Sequence, residues 1–165
     1  MGVSASGKST LGRLLADRRG VPFTEGDDLH PPANIARMTA GHPLDDAERA
    51  PWLHAVAAVV HRAARARQGA VLSCSALKRE YRDELRAAGP VWFLHLTLDR
   101  ATAAARIAHR PGHFMPLALL DSQYAALEPL RPDEPGLTLD ATAGTDACLH
   151  RALAALARVE HRPAG

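Results

Sequence analysis

Eight residues near the amino terminus constrain this chain more than all the rest. Gly2-Val3-Ser4-Ala5-Ser6-Gly7-Lys8-Ser9 satisfies G-x-x-x-x-G-K-[ST], with Thr10 directly behind it. The spacing has a chemical reason. Gly2 and Gly7 permit a tight turn whose backbone N–H groups converge on an anion. Lys8 sets a positive charge against β- and γ-phosphates, and the Ser9 hydroxyl is a hard oxygen ligand for Mg²⁺. Residues 10–18 read as a helix, whose N-terminus adds partial positive charge at the same place. Gly2 through Thr10 is thus the expected nucleotide-binding loop, a P-loop for ATP and Mg²⁺, and Lys8 is also expected to act in the chemistry.

Such a loop follows a β-strand in the middle of a parallel sheet, and here only Met1 precedes Gly2. The expectation is that the sequence starts at an internal Met and that the first strand, several apolar residues, lies upstream. Strand-like runs recur at 21–24, 70–74, 91–97 and 137–140, and helical patterns lie between them. Alternation of this kind gives right-handed crossovers and a parallel sheet covered on both faces, a three-layer α/β fold. The length of 165 residues suits one such domain, and a hydrophobic content of 47% supports a core. Lys and Arg number 20 against 18 Asp and Glu, a net charge of +2. That balance gives no argument for nucleic acid or an anionic membrane, and no apolar run is long enough to span a bilayer. Cys74 and Cys148 lack metal-site spacing and read as reduced, buried thiols of a cytoplasmic protein.

Glu25-Gly26-Asp27-Asp28 sits at the C-terminal edge of the strand at 21–24, the edge beyond which ligands bind in open α/β sheets. Asp27 is the expected catalytic base, orienting a substrate hydroxyl and taking its proton as the phosphoryl group transfers. Strand alternation puts Glu25 on the same side, where it holds Mg²⁺ through water, and turns Asp28 away. His30 and Asn34 can hydrogen-bond a polyol, and Arg37 can pair with a carboxylate.

Lys78, Arg79 and Arg82 open a helix that follows a buried strand. Cations in a first turn oppose the helix dipole unless an anion is bound there. That placement favours a functional role for Lys78 and Arg79, and Lys78 and Arg82 join the substrate set, Arg82 as a bidentate carboxylate contact. Arg86 reads as a solvated residue. Arg106, Arg110 and His113 bracket a Pro-Gly break, and the stretch of about 106–126 reads as a lid. There Arg106 and Arg110 contact ATP, Arg110 neutralises charge on the transferring group, and His113 and Gln123 contact substrate. No nucleophilic triad and no zinc pattern stands out.

These residues describe a P-loop kinase acting on a small, anionic, hydroxylated substrate. Another small-molecule kinase, of shikimate or adenylylsulfate type, is one alternative. A nucleotide-binding module without catalysis is a second, and Asp27 with Arg106 and Arg110 argues against it, because binding alone needs neither. A more specific likeness lies in four stretches: the loop itself, residues 25–38 with His30-Pro31-Pro32-Ala33-Asn34, residues 74–86 with Ser75-Ala76-Leu77-Lys78-Arg79, and Gly112-His113-Phe114-Met115. Together with residues 119–129 they resemble bacterial gluconokinase of the small P-loop type, from Met1 nearly to the last helix. The resemblance implies a fold like shikimate and adenylate kinases, with a five-stranded parallel core, a lid and a homodimer. It implies ATP-dependent phosphorylation of D-gluconate at the C6 hydroxyl, giving 6-phosphogluconate. Asp27 matches the substrate-hydroxyl aspartate of such kinases, Lys8 and Ser9 the ATP–Mg²⁺ residues, and Arg110 falls in the lid. Ala5 stands where these enzymes often have Gly, and Glu25 where many have Asp.

Overall fold

The structure is a computed structural model and describes residues 1–109 and 117–161. Along the chain come α1 (Lys8–Arg19), β1 (Phe23–Glu25), α2 (Pro32–Thr39), α3 (Asp46–Arg65), β2 (Val71–Ser73), α4 (Arg79–Ala88), β3 (Phe93–Thr97), α5 (Arg100–Ala108), α6 (Leu117–Ala126), β4 (Gly136–Asp140) and α7 (Thr145–Glu160). Single 3₁₀ turns follow β1 (Gly26–Leu29) and β4 (Ala141–Ala143).

β1 pairs with β2 in parallel, Phe23 opposite Val71 and Glu25 opposite Ser73. β3 pairs with β4 in parallel, Phe93 opposite Gly136 and Thr97 opposite Asp140. Parallel neighbours need long crossovers, and helices supply them, as the alternating pattern predicts. β3 is covered on both faces, so its period-two alternation feeds two cores. On one face Leu96 and Leu139 pack with Leu11 and Leu15 of α1 and Leu149 of α7. On the other, Phe93 packs with Trp52 and Val56 of α3 and with Tyr81 and Leu85 of α4. This is the expected three-layer arrangement.

Local signals set the helix ends. α3 starts in a capping box: Glu48 N donates to Asp45 Oδ1 at 2.8 Å and Asp45 N to Glu48 Oε2 at 3.0 Å. α1 ends at Gly20, which takes the left-handed φ of 63° that closes a helix.

Among the described residues the four strands form two separate pairs, where the resemblance implies five strands in one core. Met1 lies alone along the free edge of β3. Its nitrogen donates to Leu94 O, and Leu96 N donates to Met1 O at 2.9 Å. The chain then leaves β3 at Gly2, whose φ of 145° and 2.5 Å spacing between an added Cβ and Leu96 O leave no room for a side chain.

His95 stands in the middle of β3, 2% exposed, and neither ring nitrogen has a hydrogen-bond partner among the described residues. Burial pulls its pKa down to about 4, and burial does the same to His30. Each binds a proton on unfolding between that value and its ordinary 6.5. The linkage sign is then definite: the unfolded state holds more protons, so these histidines cost stability as pH falls from about 6.5 to about 4. A chemical-denaturation series over that range is expected to show falling stability, and His95→Leu should remove about half of the histidine contribution to the slope.

Candidate active site

The phosphate-binding loop is built as its spacing demands. Ala5 and Gly7 take left-handed φ values of 62° and 89°. α1 then begins at Lys8 with no side chain capping its N-terminus and no acidic residue in its first turn. Its first N–H groups are left to converge on an anion. Ser4, Ala5, Gly7, Lys8, Ser9 and Thr10 line one wall of a pocket of about 720 Å³. Val3 and Ser6 are buried beneath that wall, and Gly2 packs on Leu96 O. Lys8 Nζ donates to Val3 O at 2.9 Å. Two later elements hold the loop. Arg106 donates to Ala5 O at 3.2 Å and to Ala141 O at 3.1 Å, joining α5 and the turn after β4 to it. Gln123 of α6 accepts from Ser4 N at 2.6 Å through Oε1.

The facing wall comes from the acidic turn. Trp52 of α3 is fully buried, and its Nε1 donates to Gly26 O at 2.7 Å. The same indole stacks on the His30 ring, with centroids 4.9 Å apart and planes 10° from parallel. Pinned at both ends, the turn presents Asp27, Asp28 and His30 to the pocket. Desolvation in this concavity pushes the Asp27 carboxyl above the ordinary carboxylate range. Lys8 pulls it down by a smaller amount, and Glu25 and Asp28 add to the rise. A carboxyl with a raised pKa facing a lysine and a phosphate loop is suited to accept a proton from a substrate hydroxyl.

Several expected site residues lie elsewhere. Glu25 accepts a hydrogen bond from Ser73 Oγ on β2 and faces Arg13 at 3.8 Å, away from the pocket lining. Glu25 thus lies off the pocket lining, and Asp28, expected to turn away, lines it. The strand ends at Glu25, and the 3₁₀ turn breaks the two-residue alternation on which that reading rested. Asn34 is buried and donates to Glu48 O at 2.7 Å, and Arg37 pairs with Glu48 at 2.9 Å, so both tie α2 to α3. Lys78 pairs with Asp46 at 2.6 Å. Arg79 makes a fork to Asp133 at 3.0 and 2.6 Å. Arg82 is fully buried, and its Nε and Nη2 donate in a fork to the two Glu134 carboxylate oxygens, at 2.6 and 2.8 Å. The anions that justify cations at the start of α4 are protein carboxylates, and none of these three cations lines the pocket. Arg110 and His113 lie outside the described residues.

Arg49 was not among the expected residues. It lines the pocket, touches Leu44 O at 3.4 Å and lies over the Tyr81 ring at 5.9 Å, with no carboxylate partner among the described residues. The signal was present: Arg49 is a cation in the first turn of α3, the same oddity that drew attention to α4. Among the described residues no group of three or more His, Cys, Asp or Glu side chains could hold a metal ion alone. The donor set fits magnesium held chiefly by nucleotide phosphates, with the Ser9 hydroxyl and the Asp27–Asp28 turn at hand.

A model of the shikimate kinase family matches residues 4–129. A gluconokinase of Gluconobacter oxydans (strain 621H) is 50% identical over 136 residues, covering 82% of this chain and 76% of the relative. The chain belongs to the gluconokinase family. A solved gluconokinase from Sinorhizobium meliloti 1021 is 46% identical with a TM-score of 0.86, covering 96% of this chain and 90% of that one. A sugar kinase from Janibacter sp. HTCC2649, solved without ligand, is also 46% identical, with a TM-score of 0.90 over 95% of this chain and 91% of its own. The parallel α/β architecture is that of the P-loop kinases, and the likeness read from the acidic turn and the Ser-Ala-Leu-Lys-Arg segment is a true one. As a gluconokinase-family protein the chain is a nucleotide-binding phosphotransferase.

Proposed function

We propose that the protein transfers the γ-phosphoryl group of ATP to the 6-hydroxyl of D-gluconate, giving 6-phospho-D-gluconate and ADP. The observation that carries this reading is one pocket with the phosphate loop on one wall and Asp27 on the other. Lys8 and the loop N–H groups bind and orient the phosphates. Asp27 holds the substrate hydroxyl and takes its proton. His30, neutral at pH 7 because burial lowers its pKa to about 4, offers a hydrogen bond to a sugar-acid hydroxyl. Magnesium supplies charge neutralisation at the phosphates when bound, with Ser9 as its protein oxygen. Gln123 must yield the Ser4 N–H if a phosphate oxygen is to use it. Arg110 and His113 keep their lid roles as proposals. The setting implied by the resemblance is one kinase domain over 1–165, working in the cytoplasm as a homodimer. Among the described residues no helix is long and apolar enough to cross a membrane.

Arg49 is the pocket cation proposed to receive the gluconate carboxylate. Arg49→Gln is expected to raise the KM for gluconate by roughly 10- to 100-fold, the loss of one charge-assisted contact, with the KM for ATP nearly unchanged. The deciding experiment is a coupled ADP-release assay with ATP and Mg²⁺ over D-gluconate, shikimate, adenylylsulfate and a neutral hexose. Turnover with gluconate alone is the expected result. Turnover with another acid keeps the kinase and overturns the substrate. ATP binding without turnover on any of them overturns the reaction.

A further inference from the structure

Three carboxylates open α3, and each has taken a partner. Asp45 Oδ1 accepts from Glu48 N, while Glu48 accepts from Asp45 N and pairs with Arg37 at 2.9 Å. Asp46 is the most heavily engaged. Lys78, the residue at the N-cap of α4, brings its Nζ to 2.6 Å from both Asp46 oxygens. The Tyr81 hydroxyl donates to Asp46 Oδ1 as well. The hydrogen bond from Lys78 is the largest influence holding the Asp46 carboxyl below its ordinary pKa, and Arg49 comes last among the groups acting on it.

That last place is unexpected. Arg49 stands three residues further along the same helix, and residues three apart share a helix face, so Asp46 is its natural counter-ion. Tyr81 shows that the two are neighbours, because its hydroxyl holds Asp46 while Arg49 lies over its ring at 5.9 Å. Yet among the described residues the Arg49 guanidinium takes no carboxylate and donates only to Leu44 O, at 3.4 Å. It lines the pocket instead. Behind the larger effect of burial, its charge bears there on both Asp27 and His30.

We propose that Lys78 is a positioning residue: together with Tyr81 it saturates Asp46, keeps that carboxylate from capturing Arg49, and so leaves the guanidinium free for the carboxylate of the acceptor. This rests on the reading of Arg49 given above. It gives the cation at the start of α4 a part in substrate binding although Lys78 lies off the pocket lining. A lysine suits the task, since three donors on a flexible stem can serve both oxygens of one carboxylate. The setting explains why a competitor is needed. The Asp46 side chain is 60% exposed, where an ion pair is weak and its partner exchangeable. Asp46 is therefore kept from Arg49 by two side chains acting together, one from the N-cap of α4 and one from its first turn.

The test is steady-state kinetics of the full chain with ATP and D-gluconate. Lys78→Met keeps the apolar stem and removes the ammonium. It is expected to raise the gluconate KM roughly 2- to 5-fold, the scale of one exposed ion pair, with the KM for ATP unmoved. Adding Asp46→Asn should bring the gluconate KM back, since no carboxylate is then left to capture Arg49. Asp46→Asn alone should leave it close to the wild-type value. In an Arg49→Gln background, Lys78→Met should add nothing, because its effect runs through Arg49. Several outcomes overturn the proposal. One is a gluconate KM that Lys78→Met does not change. Another is a KM that stays raised in the Lys78→Met, Asp46→Asn protein, which returns Lys78 to direct contact with substrate. Equal and opposite shifts from Lys78→Met and Asp46→Asn, or a further rise on top of Arg49→Gln, assign the effect to net charge near the pocket. The underlying reading is checked separately: an unchanged gluconate KM in Arg49→Gln alone takes the acceptor carboxylate away from Arg49, and the role of Lys78 falls with it.

Discussion

Asp27→Asn is expected to lower turnover by roughly 10²- to 10⁴-fold, the usual loss for a positioned general base, while leaving ATP binding nearly unchanged. Asn keeps the size and one acceptor of the carboxyl but takes no proton. Nucleotide is held by the opposite wall, through the loop and Lys8, so affinity for it should not follow the rate. The same substitution should leave the thermal midpoint unchanged or raise it. Desolvation makes the ionised Asp27 unfavourable in the folded state, and Asn removes that charge. The sign for pH follows. Asp27 titrates above the ordinary carboxylate value in the folded protein, so the acid limb of kcat/KM should sit above 3.8 and vanish in the Asn variant. Isothermal titration of a non-hydrolysable ATP analogue, with steady-state rates across pH, measures both halves. A variant that still turns over at near-normal rate removes Asp27 from the reaction.

Arg82→Ala is expected to destabilise the fold by about 3–5 kcal/mol, the cost of leaving a buried charge without its partner. For a chain of this size that lowers the thermal midpoint by roughly 10 °C. The guanidinium makes six contacts in all, the longest to Ala76 O at 3.5 Å. Besides the fork to Glu134 it donates to the carbonyls of Leu77 at 2.9 Å, Glu128 at 3.2 Å and, more weakly, Pro129 at 3.4 Å. It therefore ties α4 to the segment between α6 and β4. Glu134 is equally buried, and its hydrogen bond to Arg82 holds its pKa below the usual value. Removing the pair together should cost much less than removing one member, so Arg82→Met with Glu134→Leu is expected to recover most of the loss. Scanning calorimetry reads this. The substrate role first expected for Arg82 makes a different prediction: a raised gluconate KM in the folded protein. The burial of Arg82 argues that the KM will not move.

The contrast between those two residues shows where the sequence is informative. The loop and Asp27 are legible because their chemistry is local. Eight consecutive residues make one nest, and a carboxylate two residues past a strand end stays near that strand. The alternation of elements is legible for the same reason, since period two and period 3.6 are short-range signals. The partners of Arg79 and Arg82 are not local. Asp133 and Glu134 lie some fifty positions away, and nothing in the helix that carries the arginines says that a later loop brings carboxylates to them. The exchange of Glu25 for Asp28 has another cause. A single 3₁₀ turn shifts the side to which each carboxylate points, and the residues Gly26 to Leu29 fit a continued strand edge as well as a turn. Arg49 was obscured by its good capping box, which makes the start of α3 look like an ordinary surface helix.

The buried indole beneath the acidic turn gives the protein an optical reporter of its own. Of the two tryptophans, Trp52 is the one whose N–H holds Gly26 and whose ring lies flat on His30. Its emission depends on the hydrogen bond and on the charge state of that imidazole, so anything that shifts the turn changes the light it gives back. With Trp92 replaced by Phe, the remaining fluorescence would follow a sugar acid arriving at the pocket in real time, before any phosphate has moved and without a label.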